Sequence, residues 1–295
     1  MPTATPLSIR PIRSEHPLSL TKRRRFIDRI ATILSWGATS LVLFFLGSLL
    51  WTLLYNGLPG FTLHLFTHSM KAPNQNGGLA NAIIGSILQV GLALLLATPA
   101  GLLTGVYLAE YGGQSTLART VRFVSDMLLS VPSILVGLFV YLIMVAPLQH
   151  FSGFAGSLSL AILAMPIIVR TTENMLHLVP ASVREAGIAL GLPQWRVTLF
   201  ICLRAAKSGI ITGILLALAR IAGETAPLLF TSLGNSKFSL DMRQPMASVT
   251  LAIYEYAGSA YQDWMQEAWN GALLITATVL VINIVVRIGT RKGRL

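Results

Sequence analysis

Six apolar blocks, each long enough to cross a bilayer, run through the 295-residue chain and leave little room for any other architecture. A span needs about 20 mostly apolar residues at a rise of about 1.5 Å each. The blocks fall at 33–55, 81–108, 126–147, 155–176, 207–232 and 267–287. The fourth is the weakest, because Arg170 and Glu173 interrupt it. Only 11% of the residues are charged, against about 25% in soluble domains, and no stretch remains that could bury a separate soluble core. The expectation is an all-α integral membrane protein with six transmembrane helices. Residues 33–288 form its membrane domain, between a basic N-terminal tail, 1–32, and a short C-terminal tail, 289–295.

The net charge of +11 raises the question of nucleic acid, and the placement of the charges answers it. Of 22 Lys and Arg residues, 17 fall in four segments assigned to one side of the membrane. Three (Lys71, Lys237, Arg243) fall on the other side, and two (Arg170, Arg220) lie inside apolar blocks. Such asymmetry is the positive-inside distribution; it accounts for the basicity through membrane topology, with no nucleic-acid partner. It places the N-terminus, with Arg10, Arg13 and the run Lys22–Arg25, in the cytoplasm. The C-terminal Arg287, Arg291, Lys292 and Arg294 belong there too, as an even number of spans requires. The first block is too long for a typical signal-peptide core and is read as an uncleaved span. Cys202 is the only cysteine, so no internal disulfide can form.

Pro99, Pro132, Pro166 and Pro227 fall within spans, where each removes a backbone hydrogen bond. A freed carbonyl is tolerated in hydrocarbon only if neighbouring groups satisfy it; a plain helix kink is the alternative reading. Gly101/Gly105 and Gly209/Gly213 have the spacing that lets helices approach closely.

The block 207–232 carries two charges. Arg220 lies roughly 20 Å along the helix from Lys207 at 1.5 Å per residue, too deep to reach water easily. Glu224 follows four residues later, on the same helix face. Charges inside a membrane are expensive and by default functional, although a structural ion pair would also explain them. A guanidinium is suited to bidentate capture of a phosphate-like oxyanion. Glu224 would hold Arg220 at rest, Thr225 would add a hydroxyl, and Gly223–Pro227 would loosen the helix. Arg170, with Glu173 three residues on, is a second pathway candidate, although it stands near enough to the interface to snorkel. Asp126 and Glu110 are read as solvated groups at span ends.

Residues 177–206, HLVPASVREAGIALGLPQWRVTLFICLRAA, form the longest internal cytoplasmic connection. Pro180-Ala181-Ser182 starts a helix, Gly191-Leu192-Pro193 ends it, and Gln194 to Leu203 starts a second short one. Physics alone also allows an amphipathic hairpin lying on the membrane surface. The chain has no G-x-x-x-x-G-K-[ST] phosphate cradle, no H-E-x-x-H and no nucleophile elbow, so no enzymatic role is expected of it.

The 177–206 loop resembles the EAA motif of binding-protein-dependent ABC importer permeases, with Glu185, Ala186, Gly191, Ile201 and Leu203 at the motif's spacing. It departs at Gly187, where the motif has alanine, and at Arg204, where it has proline. The segments GLANAIIGS, LAEYGG, LLSVPSILVGLFVY, RTTENMLHLVP and ALARIAGETAPLLFTSLGN resemble more narrowly the permeases of bacterial phosphate-specific importers. That resemblance implies a type I ABC importer permease fold, with Glu185, Ala186 and Gly191 in a coupling helix that docks on an ATPase. It implies a second homologous permease subunit, two ATPase subunits that bind ATP and magnesium, and a periplasmic phosphate-binding protein that meets loops near 56–80 and 233–266. No cofactor is expected in this chain itself, and its place is the lipid of a bacterial inner membrane. The charges alone leave open sulfate or molybdate as cargo, a gradient-driven carrier, or a scaffold that transports nothing.

Overall fold

The computed structural model describes residues 18–291; Arg10 and Arg13 of the expected N-terminal tail, and residues 292–295 of the C-terminal one, lie outside it. Among the described residues the chain is helical, apart from loops and one isolated β-bridge between Leu233 and Met246. It divides into residues 1–52 and a compact body of residues 53–295.

In the first part, helix α1 (Leu18–Gly57) starts before the basic run Lys22–Arg25, so the segment read as a tail up to residue 32 is helical from Leu18 onward. Its hydroxyls donate to carbonyls of their own helix: Thr32 to Asp28, Ser35 to Ala31 and Thr39 to Ser35. Polar groups satisfied in this way need no water and no neighbour. Trp36, Leu41, Phe44 and Phe45 are exposed along it, as suits contact with lipid.

The body contains α2 (Ala80–Tyr111), α3 (Thr116–Ser130), α4 (Ser133–Leu148), α5 (Gly153–His177), α6 (Ala181–Ala189), α7 (Gln194–Ala222), α8 (Ala226–Thr231), α9 (Val249–Ala257) and α10 (Gln262–Arg291). A π turn closes α2 at Tyr107–Tyr111; two more lie in α4 at Tyr141–Val145 and in α7 at Val197–Cys202. By length and composition α1, α2, α5, α7 and α10 can each cross a membrane, and α3 with α4 makes a sixth, broken span.

Two of the expected spans change shape. The third is not one helix over 126–147: α3 and α4 meet at an angle of 108°. Pro132 offers no N–H to continue α3, and Val131 before it is extended. The fifth does not run over 207–232. It begins at Gln194, absorbing what had been expected as the second short helix of the loop, and stops at Ala222 before a break. Pro99 and Pro166, by contrast, stay inside continuous helices.

The weakest apolar block becomes the central helix. α5 has most of its side chains buried, with α2 and α7 both packed against it. Both glycine pairs are spent on this contact. A Cβ on Gly101 would lie 2.8 Å from Ile168 Cβ, and one on Gly105 would lie 2.6 Å from Thr172 Cβ. Gly209 and Gly213 of α7 abut Met175 and Thr171, on the adjoining face of α5. Small residues let backbones approach where lipid supplies no hydrophobic drive for association.

Gly105→Ala is therefore expected to lower stability by about 1–3 kcal/mol through overpacking. Gly91→Ala, on the same helix with nothing near its Cβ, should leave stability unchanged or raise it by about 0.5–1 kcal/mol. Thermal unfolding in detergent compares the two.

Candidate functional site

The break after α7 places the polar residues that stand out in the fifth span. Gly223–Thr225 are non-helical, and Pro227 opens α8 where its missing N–H interrupts no bond. Arg220 sits in the last turn of α7 with its side chain 41% exposed; Glu224, in the break, is 17% exposed. Arg220 Nε lies 3.7 Å from Glu224 Oε1, so the two pair across the helix end, beyond hydrogen-bonding distance. A guanidinium held this loosely keeps its N–H donors available to another anion. Thr225 is half-buried at the same break.

Surrounding groups hold the break open. The Glu224 carbonyl, freed by the end of the helix, accepts from Thr250 Oγ1 at 3.0 Å. The chain before Thr250 is pinned to α2: Gln89 Nε2 donates to the Ala247 carbonyl at 3.2 Å, and the Val249 N–H donates to Ser86 Oγ at 2.8 Å. Gln89 is fully buried inside the membrane body. From the other side, Gly137 of α4 approaches so closely that a Cβ there would lie 2.5 Å from Pro227 Cα. The helix that follows one break thus packs on the helix that follows the other.

Arg170 belongs to a different cluster. Its Nε donates to Asp126 Oδ1 at 2.7 Å, its Nη2 to Asp126 Oδ2, and its Nη1 to Glu173 Oε2 at 3.3 Å. Glu173, 4% exposed, also accepts from Arg122 Nε at 2.6 Å. Arg122 Nη2 in turn donates to the Leu108 carbonyl at 2.9 Å. Asp126 is about half exposed, as expected of a group near a span end, and it also clamps Arg170 from α3. Two acids and two arginines alternate between α3 and α5, and Leu108 ties the chain of charges to the end of α2.

The coupling-loop candidates lie on α6 and the turn after it. Glu185 and Ala186 are exposed, as are Ile188 and Leu190, while Gly187 is buried. Gly187 faces Val197 and Ile201 of α7; a Cβ there would lie 2.9 Å from Val197 Cγ2. The departure from alanine at this position brings α6 down onto α7. Gly191 adopts φ +81°, a left-handed conformation that glycine reaches without steric cost and that terminates the helix. Glu110, unlike Asp126, is not the solvated end group expected: its side chain is almost fully buried and meets the Arg184 guanidinium, Nη2 to Oε1, at 2.6 Å. Those hydrogen bonds, opposed by burial, hold Arg184 charged above even its ordinary high pKa.

A family model described as binding-protein-dependent transport system inner membrane component matches residues 97–291. The chain belongs to this family. The Phosphate transport system permease protein PstA of Pasteurella multocida is 51% identical to this permease over 265 residues, 90% of this chain and 95% of that one. The protein of the same name from Yersinia pestis is 53% identical over 266 residues, 90% of each chain. The fold also matches a chain of the MetNI methionine ABC transporter in an inward-facing conformation, with TM-score 0.59 and 19% identity over 72% of this chain and 95% of that one. The type I ABC importer permease fold, with its broken spans, is thereby established.

Sequence reasoning missed Arg122, Arg184, Gln89 and Thr250 in this permease. The two arginines were grouped with the cytoplasmic charges by their position in the chain, a grouping that says nothing about partners. Gln89 alone carried a signal: an amide in the middle of an apolar block must find a partner. Thr250 carried none.

Glu173→Gln leaves two guanidinium groups without their shared carboxylate and is expected to destabilise the fold by about 3 kcal/mol. Asp126→Asn should cost less, since Asp126 is about half exposed. Melting of the purified permease in detergent ranks the two.

Proposed function

We propose that this chain is the PstA-type subunit of an ATP-driven phosphate importer, half of a heterodimeric pathway through a bacterial inner membrane. The observation that carries this reading is the identity of 50% or more with PstA proteins along 90% of the chain. Two parts of the molecule support it.

At one end, α6 presents Glu185, Ala186, Ile188 and Leu190 to the surroundings. This is the face on which a partner ATPase docks. Two such subunits bind ATP and magnesium, and this chain holds no cofactor of its own. ATP binding there displaces the 177–206 loop and switches the pore from inward- to outward-facing; hydrolysis resets it. The 177–206 loop and both chain termini face the cytoplasm.

Deeper in the membrane, Arg220 is the group that meets phosphate. Its guanidinium is half-exposed beside a helix break, and its only ion-pair partner among the described residues is Glu224 at 3.7 Å. An arriving oxyanion forms shorter, bidentate contacts and competes with that carboxylate. Thr225 stands next to it as a hydroxyl donor. Arg170 serves the pathway more indirectly, because Asp126 and Glu173 already engage its guanidinium. A periplasmic phosphate-binding protein delivers its cargo to the loops at 56–80 and 233–266, and a second, homologous permease completes the pore within the lipid.

Reconstitution in vesicles with the partner subunits, the binding protein and ATP tests this reading. Wild type is expected to accumulate phosphate only with ATP and binding protein present. Arg220→Gln should abolish uptake while the complex still assembles. Uptake without ATP would point to a gradient-driven carrier, ATP-driven uptake of sulfate or molybdate alone would change the cargo, and loss of assembly in the variant would make Arg220 structural.

A further inference from the structure

Arg184 directly precedes Glu185 in α6 but turns the opposite way. While the neighbouring Glu185 and Ala186 face outward, the guanidinium of Arg184 reaches back into the body and joins helix ends that are far apart in sequence. Its Nε lies 3.2 and 3.1 Å from the two oxygens of Glu110, at the end of α2. Its Nη2 donates to Glu110 Oε1 at 2.6 Å and to the Leu176 carbonyl at 2.8 Å, and its Nη1 donates to the Val179 carbonyl at 2.5 Å. Leu176 is in the last turn of α5, the central helix. The Glu110 backbone carbonyl accepts from Gln194 Nε2 at 3.2 Å, which adds the first turn of α7.

Among the described residues, no other polar side chain of α6 reaches α2 or α5. Its other contacts are apolar: Gly187 meets α7, and Val183 shares a cluster with Leu176 of α5 and with Val106 and Ala109 of α2. Apolar contacts slide at little cost, whereas a buried, charge-assisted fork has direction and register. The chain itself joins α6 to α5 over Leu178–Pro180, whereas the directed, charge-assisted link from α6 to α2 is one guanidinium.

We propose that Arg184 is the positioning residue that converts displacement of α6 into movement of α2, with Glu110 as its anchor. The proposal rests on the importer reading above. It places Arg184 apart from the exposed docking face: the variant loses transmission and keeps the ATPase contact.

The test uses the complete transporter in vesicles, with phosphate uptake and ATP hydrolysis read on the same preparation. For Arg184→Gln the ATPase subunits should still co-purify and hydrolysis should persist, while phosphate moved per ATP falls about tenfold, the size of a lost coupling contact. The exchanged pair Arg184→Glu with Glu110→Arg should recover part of that ratio. If Arg184→Gln does not accumulate, Arg184→Lys decides: a lysine keeps the charge without the fork, so a fall of about threefold in the ratio is expected. An unchanged ratio in the variants, or loss of the ATPase subunits from the Arg184→Gln complex, overturns the role of Arg184 and leaves the importer intact. A wild-type complex that moves no phosphate overturns the importer reading, and this proposal with it.

Discussion

A charge within a membrane protein needs a partner or water, and α5 carries two charges, Arg170, partly exposed, and Glu173, almost fully buried. Their neutralisation shapes the region around them. Asp126 and Arg122 must come alongside, and both sit on α3, so α3 has to lie against α5. A straight third span could not both hold that position and continue as α4, and the 108° turn at Pro132 reconciles the two demands. The close approach of α2 and α7 to α5, permitted by Gly101, Gly105, Gly209 and Gly213, then closes the packing around the charged stretch.

The second break follows the same logic with backbone groups in place of charged ones. Ending α7 at Ala222 frees carbonyls that lipid cannot satisfy. Thr250 bonds the one at Glu224, and Gln89 and Ser86 hold the segment that brings Thr250 there. Arg220 is consequently displayed beside an unwound stretch while its surroundings remain fixed, an arrangement of preformed geometry around one loosely held cation.

Much of this was legible in the residues and some was not. Apolar length located the spans, and the glycine spacings marked the contacts of α5, because both signals are local. Arg220 and Glu224 stood out because charge within an apolar run is rare. What escaped was pairing between distant segments. Arg122 lies 51 residues from Glu173 and Arg184 lies 74 from Glu110, and a single sequence contains no term that couples such positions. The fourth block looked weak for the same reason: hydropathy counts Arg170 and Glu173 as exposed to lipid, although their partners shield them. The second short helix of the loop was misjudged because Pro193 starts a helix without indicating where it ends.

The π turn at Tyr107–Tyr111 bears on how proteins of this kind can vary in length. Such a turn is an α-helix that has taken in one extra residue. Deleting one residue there would let the helix relax to regular geometry, so the backbone itself would accept the change. Glu110 lies within that widened turn, however, so the change would shift its carboxylate away from the guanidinium it meets. The local irregularity thus serves a contact between distant parts of the chain, and a shorter helix would be the more regular and the less useful one.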